Sequence, residues 1–230
     1  MTVPTPHEIA RPPWIGDHYP TRAAERTDLA VHIIGLAFAL FGGGVLLGLA
    51  FGLGSLPQVA SVSIYVTAFI AMLALSTAYN FSTPKLRPLL RRLDHAGIFV
   101  MIAGSYTPFT TLRLHGDWAI GMTAAVWAIA AVGVVGKLFF RGLGQSFWIG
   151  IYLALGWIAL IAIKPLFDSV SLVPLLLLAL GGVVYSTGAV FYVMKKLRFR
   201  RAIWHGHVVA GSVLQFVAVL VGVVLAPGSS

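Results

Sequence analysis

The chain has 230 residues, of which 58% are hydrophobic and 10% are charged, and its mean hydropathy is +0.90. Soluble domains carry about a quarter of their residues as charged side chains, so this composition excludes an ordinary soluble domain and predicts a polytopic membrane protein. Cysteine is absent, which excludes thiolate ligands and leaves nitrogen and oxygen atoms for any metal. The net charge of +9 comes from basic residues that flank apolar segments, which indicates membrane lipids rather than nucleic acid as partners.

The apolar segments predict an all-α protein with seven transmembrane helices. Residues 1–28 are rich in proline and lack a continuous apolar core, so we interpret them as a cytoplasmic tail that ends in a short interfacial helix. Residues 29–230 form the predicted membrane domain. A spanning helix needs about 20 apolar residues. In chain order, the predicted spans cover residues 29–50, 60–80, 95–112, 118–138, 146–163, 172–194 and 204–226.

Basic residues predict how these spans are oriented. Of the 16 lysines and arginines, all but Arg113 and Lys164 fall in the tail or in the second, fourth and sixth loops. The positive-inside rule therefore predicts a cytoplasmic N-terminus and an outside C-terminus, as an odd number of spans also requires.

Small residues recur along the sequence at the four-residue spacing that is typical of closely packed membrane helices. Gly44, Gly48 and Gly52 stand four residues apart in the first span, and Gly182 precedes Ser186 by four in the sixth. Such rows predict close helix packing within one bundle, with a homo-oligomer as the alternative.

Polar and ionisable residues gather at one end of the predicted spans. They are Glu25, Asp28 and His32 in the first, Ser76 and Asn80 in the second, Asp94 and His95 in the third, and His205 and His207 in the seventh. The predicted orientation places all of them on the cytoplasmic side. Because such groups are costly in lipid, a functional cavity is the default hypothesis. The alternatives are an N-cap role for Asp94, an interfacial position for His95 and a buried hydrogen-bonding role for His32.

Several motifs follow one another along the chain in a characteristic order. Glu25, Asp28, His32 and Gly35 form the first motif, and STAYN at residues 76–80 forms the second. LDHAGIFVMIAGSYTPF, GGVVYSTGAVFY and AIWHGHVVAGSVLQF follow at residues 93–109, 181–192 and 202–216. This series resembles the motifs of the hemolysin III family, within the progestin and adipoQ receptor superfamily, in which asparagine is usual at the position of Asp28. The resemblance covers nearly the whole chain after the tail and implies a seven-span protein, in bacteria an inner-membrane one.

The resemblance also implies a cytoplasmic-side zinc ion held by one histidine of the second span and two of the seventh. Ser76 and Asp94 stand at the positions of the nearby serine and aspartate, and His205 at one ligand position. The other two ligand positions hold Asn80 and Arg201, and Gln215 replaces a later histidine. A guanidinium cannot ligate zinc, so the predicted metal site is degenerate. Arg201 is expected to replace the charge of the metal and to pair with Asp94.

Three functions follow as hypotheses. The first choice is a protein of membrane lipid homeostasis or lipid sensing, whose cavity residues are Glu25, His32, Asn80, Arg201 and Gln215. The second is a zinc-dependent lipid amide hydrolase, similar to a ceramidase, that uses Ser76 and Asp94 with a metal on His205. The third is a pore-forming or hemolytic protein, suggested by the family name alone.

Overall fold

The computed structural model describes residues 18–140 and 142–226, and all regular secondary structure in these ranges is helical. The predicted all-α fold is therefore confirmed. The α-helices are α1 (Arg22–Leu53), α2 (Leu56–Phe81), α3 (Arg87–Leu112), α4 (Gly116–Phe139), α5 (Gln145–Gly156), α6 (Ile163–Ser169), α7 (Leu172–Val193) and α8 (Arg200–Val219). A 3-10 helix (Ile158–Ala162) connects α5 to α6, and a π-helix (Leu220–Val224) continues α8.

Six segments of the described chain are long and apolar enough to cross a membrane. They are Arg22–Leu53, Leu56–Phe81, Gly116–Phe139, Gln145–Ser169, Leu172–Val193 and Arg200–Val224. Each overlaps one predicted span. The remaining predicted span lies in α3, which begins with several charged residues and buries 12 of its 26 residues inside the protein. A membrane helix that packs mainly against other helices can carry more small and polar residues than one that faces lipid. A seventh span at α3 therefore stays a prediction, as does the orientation.

The first helix begins earlier than the sequence predicted. Thr21 caps α1, and its Oγ1 accepts a hydrogen bond from the backbone N–H of Ala24 at 3.1 Å. Threonine is a favourable N-cap because it satisfies one of the unpaired N–H groups of the first turn. Residues 22–28, which we placed in the tail, are therefore the first turns of α1. The rest of the predicted tail before residue 18 lies outside the described residues.

The helices pack as a bundle around a continuous apolar core. Helix α1 contacts α2 and α8, while α3 lies between α2 and α4, and α7 packs along α8. The largest fully buried side chains of this core include Tyr65, Phe69 and Phe99. The beginnings of α1, α3 and α8 and the end of α2 thereby meet at one end of the bundle, which we call the polar end.

The fifth predicted span is interrupted in its middle. The hydroxyl of Tyr106 donates to the backbone oxygen of Gly156 at 2.7 Å and accepts from the backbone N–H of Ala159 at 3.1 Å. These bonds satisfy groups that leave the α-helical ladder where the chain changes to a 3-10 helix. In a bilayer such groups need a partner inside the protein, so Tyr106 stabilises the break.

Only one of the two small-residue rows packs as predicted. A Cβ atom added at Gly44, Gly48 or Gly52 would meet no atom within 4 Å, so this row faces away from the rest of the described chain and the prediction of packing within the bundle is wrong there. The second row is confirmed, because Gly182 lies against the ring of Trp157, whose Nε1–H donates to Ser186 at 3.1 Å.

A candidate polar site at the end of an apolar cavity

A cavity of about 360 Å³ runs through the bundle from the polar end. Most of its walls are aliphatic and aromatic side chains of α3, α5, α7 and α8. Along α3 it extends from Arg91 to Thr110, which corresponds to about 28 Å of helix. Its polar end is lined by His32, Ser76, Asp94, His95, Arg201 and His205. The cavity thus has the length and polarity pattern of an amphiphile.

A buried carboxylate joins α1 to α8. Oδ1 of Asp28 lies 2.6 Å from Nδ1 of His205, and Oδ2 accepts a hydrogen bond of 2.5 Å from the hydroxyl of Tyr19. Asp28 is fully buried, and His32, one turn further along α1, is 2% exposed. The ring centroids of His32 and His205 are 4.3 Å apart. The structure therefore brings two histidines from different helices onto one carboxylate.

Ser76 connects this group to α2. Nδ1 of His32 donates to the backbone oxygen of Asp28 at 2.8 Å, and Nε2 lies 3.2 Å from Oγ of Ser76. The same hydroxyl lies 3.4 Å from Nδ2 of Asn80, and both Ser76 and Asp94 line the polar end of the cavity. Ser76 thus contacts polar side chains of α1 and of its own helix.

Arg201 lies beside Asn80 in a closed set of hydrogen bonds. Its Nη1 donates to Oδ1 of Asn80 at 3.1 Å, while its Nε donates to the backbone oxygen of His18 and its Nη2 to Nδ1 of His18, both at 3.3 Å. Nε2 of His18 donates to the same amide oxygen at 3.1 Å. The guanidinium also lies over the rings of Tyr19 and Tyr79.

These contacts require a neutral His18. Burial, followed by the positive charge of Arg201, lowers the pKa of His18 to about 3. A neutral imidazole can accept from Arg201 through Nδ1 and donate to Asn80 through Nε2. The segment just before α1 is thereby held against α2 and α8.

The remaining predicted residues lie in several places. Gln215 lines the cavity, whereas Glu25 does not and stands in the first turn of α1. His95 accepts a hydrogen bond from Lys137 at 3.2 Å. His207 donates to the backbone oxygen of Ile203 and lies against Phe191, away from His205.

The expected direct pair of Arg201 with Asp94 is not formed. Among the described residues, the hydrogen bonds of Arg201 go to Asn80 and His18, and no ion pair joins Arg201 to Asp94. The amide oxygen of Asn80 is closer to the guanidinium and needs no buried ion pair, which has a large desolvation cost.

The family's zinc site does not fit this chain. Of its three ligand positions, only His205 has an imidazole, and the other two hold Asn80 and Arg201, which are hydrogen-bonded to each other. A guanidinium carries a permanent positive charge and offers no lone pair to a metal. The site as the resemblance implies it is therefore replaced by a hydrogen-bonded pair.

Two residues at the polar end were missed in the sequence, His18 and Tyr19, which precede the first apolar segment. Asp28 was placed at the polar end but given no site role. The available signal was the sequence His18-Tyr19-Pro20 followed by the helix cap Thr21, which places an imidazole and a phenol directly before the first span.

Comparison with known proteins decides the family. The sequence model of the family described as Haemolysin-III related matches residues 21–216 of this chain. The chain belongs to the haemolysin-III related family. It is 35% identical to the Hemolysin-3 homolog of Bacillus subtilis over 197 residues, which cover 85% of this chain and 92% of the relative. Hemolysin-3 of Bacillus cereus is 35% identical over 168 residues, 73% of this chain and 77% of the relative.

A more distant human relative supports the wider superfamily that the motifs indicate. The monocyte to macrophage differentiation factor of Homo sapiens is 26% identical over 164 residues, 68% of this chain and 67% of the relative. The family assignment and the six apolar helices together make this haemolysin-III relative a multi-pass membrane protein.

Proposed function

We propose that this haemolysin-III relative acts in membrane lipid homeostasis by binding a lipid, with the acyl chain in the apolar cavity and an anionic headgroup at Arg201. The protein has seven spans in this proposal, with the polar end on the cytoplasmic face of a bacterial inner membrane. The basic loops at that end support this orientation. Membrane lipids are its partners, nucleic acid is not, and a homo-oligomer remains an alternative to the monomer.

The observation that carries the proposal is the position of Arg201 between two cavities. Arg201 lines the apolar cavity and also a second cavity of about 250 Å³ at the surface of the polar end. That second cavity includes three further basic residues, Lys195, Arg198 and Arg200. Lys and Arg beside an apolar surface attract anionic headgroups, so the two cavities suit the two halves of one lipid.

The donors of Arg201 are compatible with a ligand. A guanidinium has five N–H groups, and the described residues accept from three nitrogen atoms of Arg201 with one bond each. Two N–H groups are therefore left for a phosphate or carboxylate oxygen. His18 and Asn80 hold the guanidinium in place, which reduces the entropy that a ligand must otherwise supply.

Lipid content of the purified protein tests the proposal. We expect wild type to retain lipid after size-exclusion chromatography, and Arg201→Ala to retain at least about fivefold less, since loss of a charged hydrogen bond costs roughly 1.5–3 kcal/mol. Arg26→Ala is the matched control, because Arg26 is exposed near the same end and lines neither cavity. Equal lipid content in all three proteins, measured by mass spectrometry, contradicts the proposal.

Hydrolysis of a lipid amide is a second candidate, favoured by one observation. Ser76 and Asp94 both line the polar end of the same cavity, where a headgroup amide would lie. Release of fatty acid from a ceramide by purified protein, abolished in both Ser76→Ala and Asp94→Asn, supports this candidate. Bound ceramide that stays intact over long incubation with wild type dismisses it.

A further inference from the structure

We infer that Asp28, His32 and His205 form a binding site for a divalent transition-metal ion, built on α1 and α8. Its residues differ from the three positions that the family resemblance implies, and His205 alone is common to both. The inference does not rest on lipid binding, since Arg201 takes no part in it.

The geometry of the three side chains supports a shared ion. One potential ligand atom from each residue lies within 4.8 Å of the other two. Ligand atoms around a tetrahedral zinc, with bonds of about 2.0–2.1 Å, are about 3.3 Å apart, so small side-chain rotations suffice. Asp28 and His32 lie one helical turn apart on the same face of α1, opposite His205 of α8.

The chemistry of the donors is also suitable. Two imidazoles and one carboxylate form a known ligand set for zinc and for other first-row divalent metals. Because the resemblance would place asparagine at position 28, the carboxylate of Asp28 is an addition in this chain. This carboxylate supplies negative charge that partly neutralises the positive charge of the metal ion. The histidines that the resemblance implies at positions 80 and 201 are absent from this chain.

Neighbouring groups orient these ligands. The Nδ1–H of His32 donates to the backbone oxygen of Asp28, so Nε2 is the nitrogen that can bind a metal, once it gives up its contact of 3.2 Å with the Ser76 hydroxyl. The hydroxyl of Tyr19 fixes the second carboxylate oxygen of Asp28. Such outer hydrogen bonds set the tautomer and raise metal affinity. When an ion binds Nδ1 of His205, the proton on that nitrogen moves to Nε2 if the imidazole is neutral, or to solvent if it is an imidazolium. His32 and His205 both line the cavity, so a water molecule or ligand can complete the coordination from that side.

Metal content of the full-length protein tests the inference. Protein in detergent is stripped with a chelator, incubated with zinc chloride, desalted and analysed by mass spectrometry for zinc. We expect roughly one zinc ion per chain in wild type and at least about tenfold weaker binding in Asp28→Asn, His32→Gln and His205→Gln. His207→Gln is the matched control, because His207 lies two residues from His205 and faces Phe191 instead.

A second readout keeps the test valid if a variant folds poorly. Cobalt in place of zinc gives visible absorption in a tetrahedral site, which is expected in wild type and His207→Gln and absent in His32→Gln. Wild type without zinc above the buffer level overturns the inference. Zinc that persists in both Asp28→Asn and His32→Gln also overturns it, because other residues would then hold the ion. A loss of zinc in His207→Gln as large as that in His205→Gln overturns it as well.

Discussion

The guanidinium of Arg201 donates a hydrogen bond to the side-chain oxygen of Asn80 at 3.1 Å, so two positions at which the family resemblance implies zinc ligands contact each other directly. Each substitution is explained by the other. An imidazole at position 80 would offer a ring nitrogen, whereas the amide oxygen of Asn80 accepts from both Arg201 and His18. At the polar end, a hydrogen-bond network thus joins α2, α8 and the segment before α1.

Replacing Asn80 is expected to disrupt this hydrogen-bond network and to lower the stability of the protein. Asn80→Leu removes the shared acceptor and leaves buried donors of Arg201 and His18 unpaired, which costs about 1–3 kcal/mol. Asn80→Asp keeps the acceptor for Arg201 but replaces Nδ2, which donates to the backbone oxygen of Ser76 at 2.9 Å, so its unfolding temperature is expected to lie between those of Asn80→Leu and wild type. Thermal unfolding in detergent measures both, and equal stability of Asn80→Leu and wild type contradicts the assignment.

Stability is expected to fall in acid partly through His18. The folded protein keeps this imidazole neutral down to a pKa of about 3, against an ordinary value of 6.5. The unfolded chain takes up the proton at the higher pH, so the folded state loses stability as pH falls from 6.5 towards about 3. Arg201 and Arg87 disfavour the charged imidazole, and Asp28 favours it.

His18→Gln tests this pH dependence, because glutamine can donate and accept without titrating. The unfolding temperature of wild type is expected to drop more than that of His18→Gln between about pH 7 and about pH 5. Parallel curves for the two proteins would show that His18 is not held neutral by the fold.

A half-buried tyrosine, Tyr106, and a fully buried one, Tyr65, can be compared directly. Tyr106→Phe leaves the backbone groups at Gly156 and Ala159 without their partner and is expected to cost about 1–3 kcal/mol. Tyr65→Phe removes a buried hydroxyl that has no hydrogen-bond partner among the described residues, so it is expected to be neutral or stabilising. An unfolding temperature that drops for Tyr65→Phe and not for Tyr106→Phe reverses this assignment.

Two glycines distinguish a packed helix surface from an open one. A Cβ at Gly104 would lie 2.6 Å from Cβ of Ala68, so Gly104→Ala is expected to push α3 away from α2 at a cost of about 1–3 kcal/mol. A Cβ at Gly48 meets nothing within 4 Å, and Gly48→Ala is expected to stabilise α1 by up to about 1 kcal/mol. Destabilisation by Gly48→Ala in detergent would mean that another copy of the chain packs there.

Hydropathy and residue position in the sequence predicted the helices and the gathering of polar groups well. Ser76, Asp94 and His205 end or begin apolar segments, and topology alone places such residues at one end of a bundle. The contacts among them were not predictable, because they depend on the rotation and depth of each helix. Arg201 therefore bonds to Asn80 rather than to Asp94, and Asp28 bonds to His205. Glycine spacing along α1 likewise could not show which face of the helix was covered.

A density map of the protein purified from membranes would show whether a lipid occupies the apolar cavity. We expect elongated density along this cavity that ends beside Arg201, with the guanidinium still within hydrogen-bonding distance of Asn80. A cavity that holds only ordered water, or an Arg201 side chain turned away from Asn80 with a metal ion between residue 80 and His205, would contradict it.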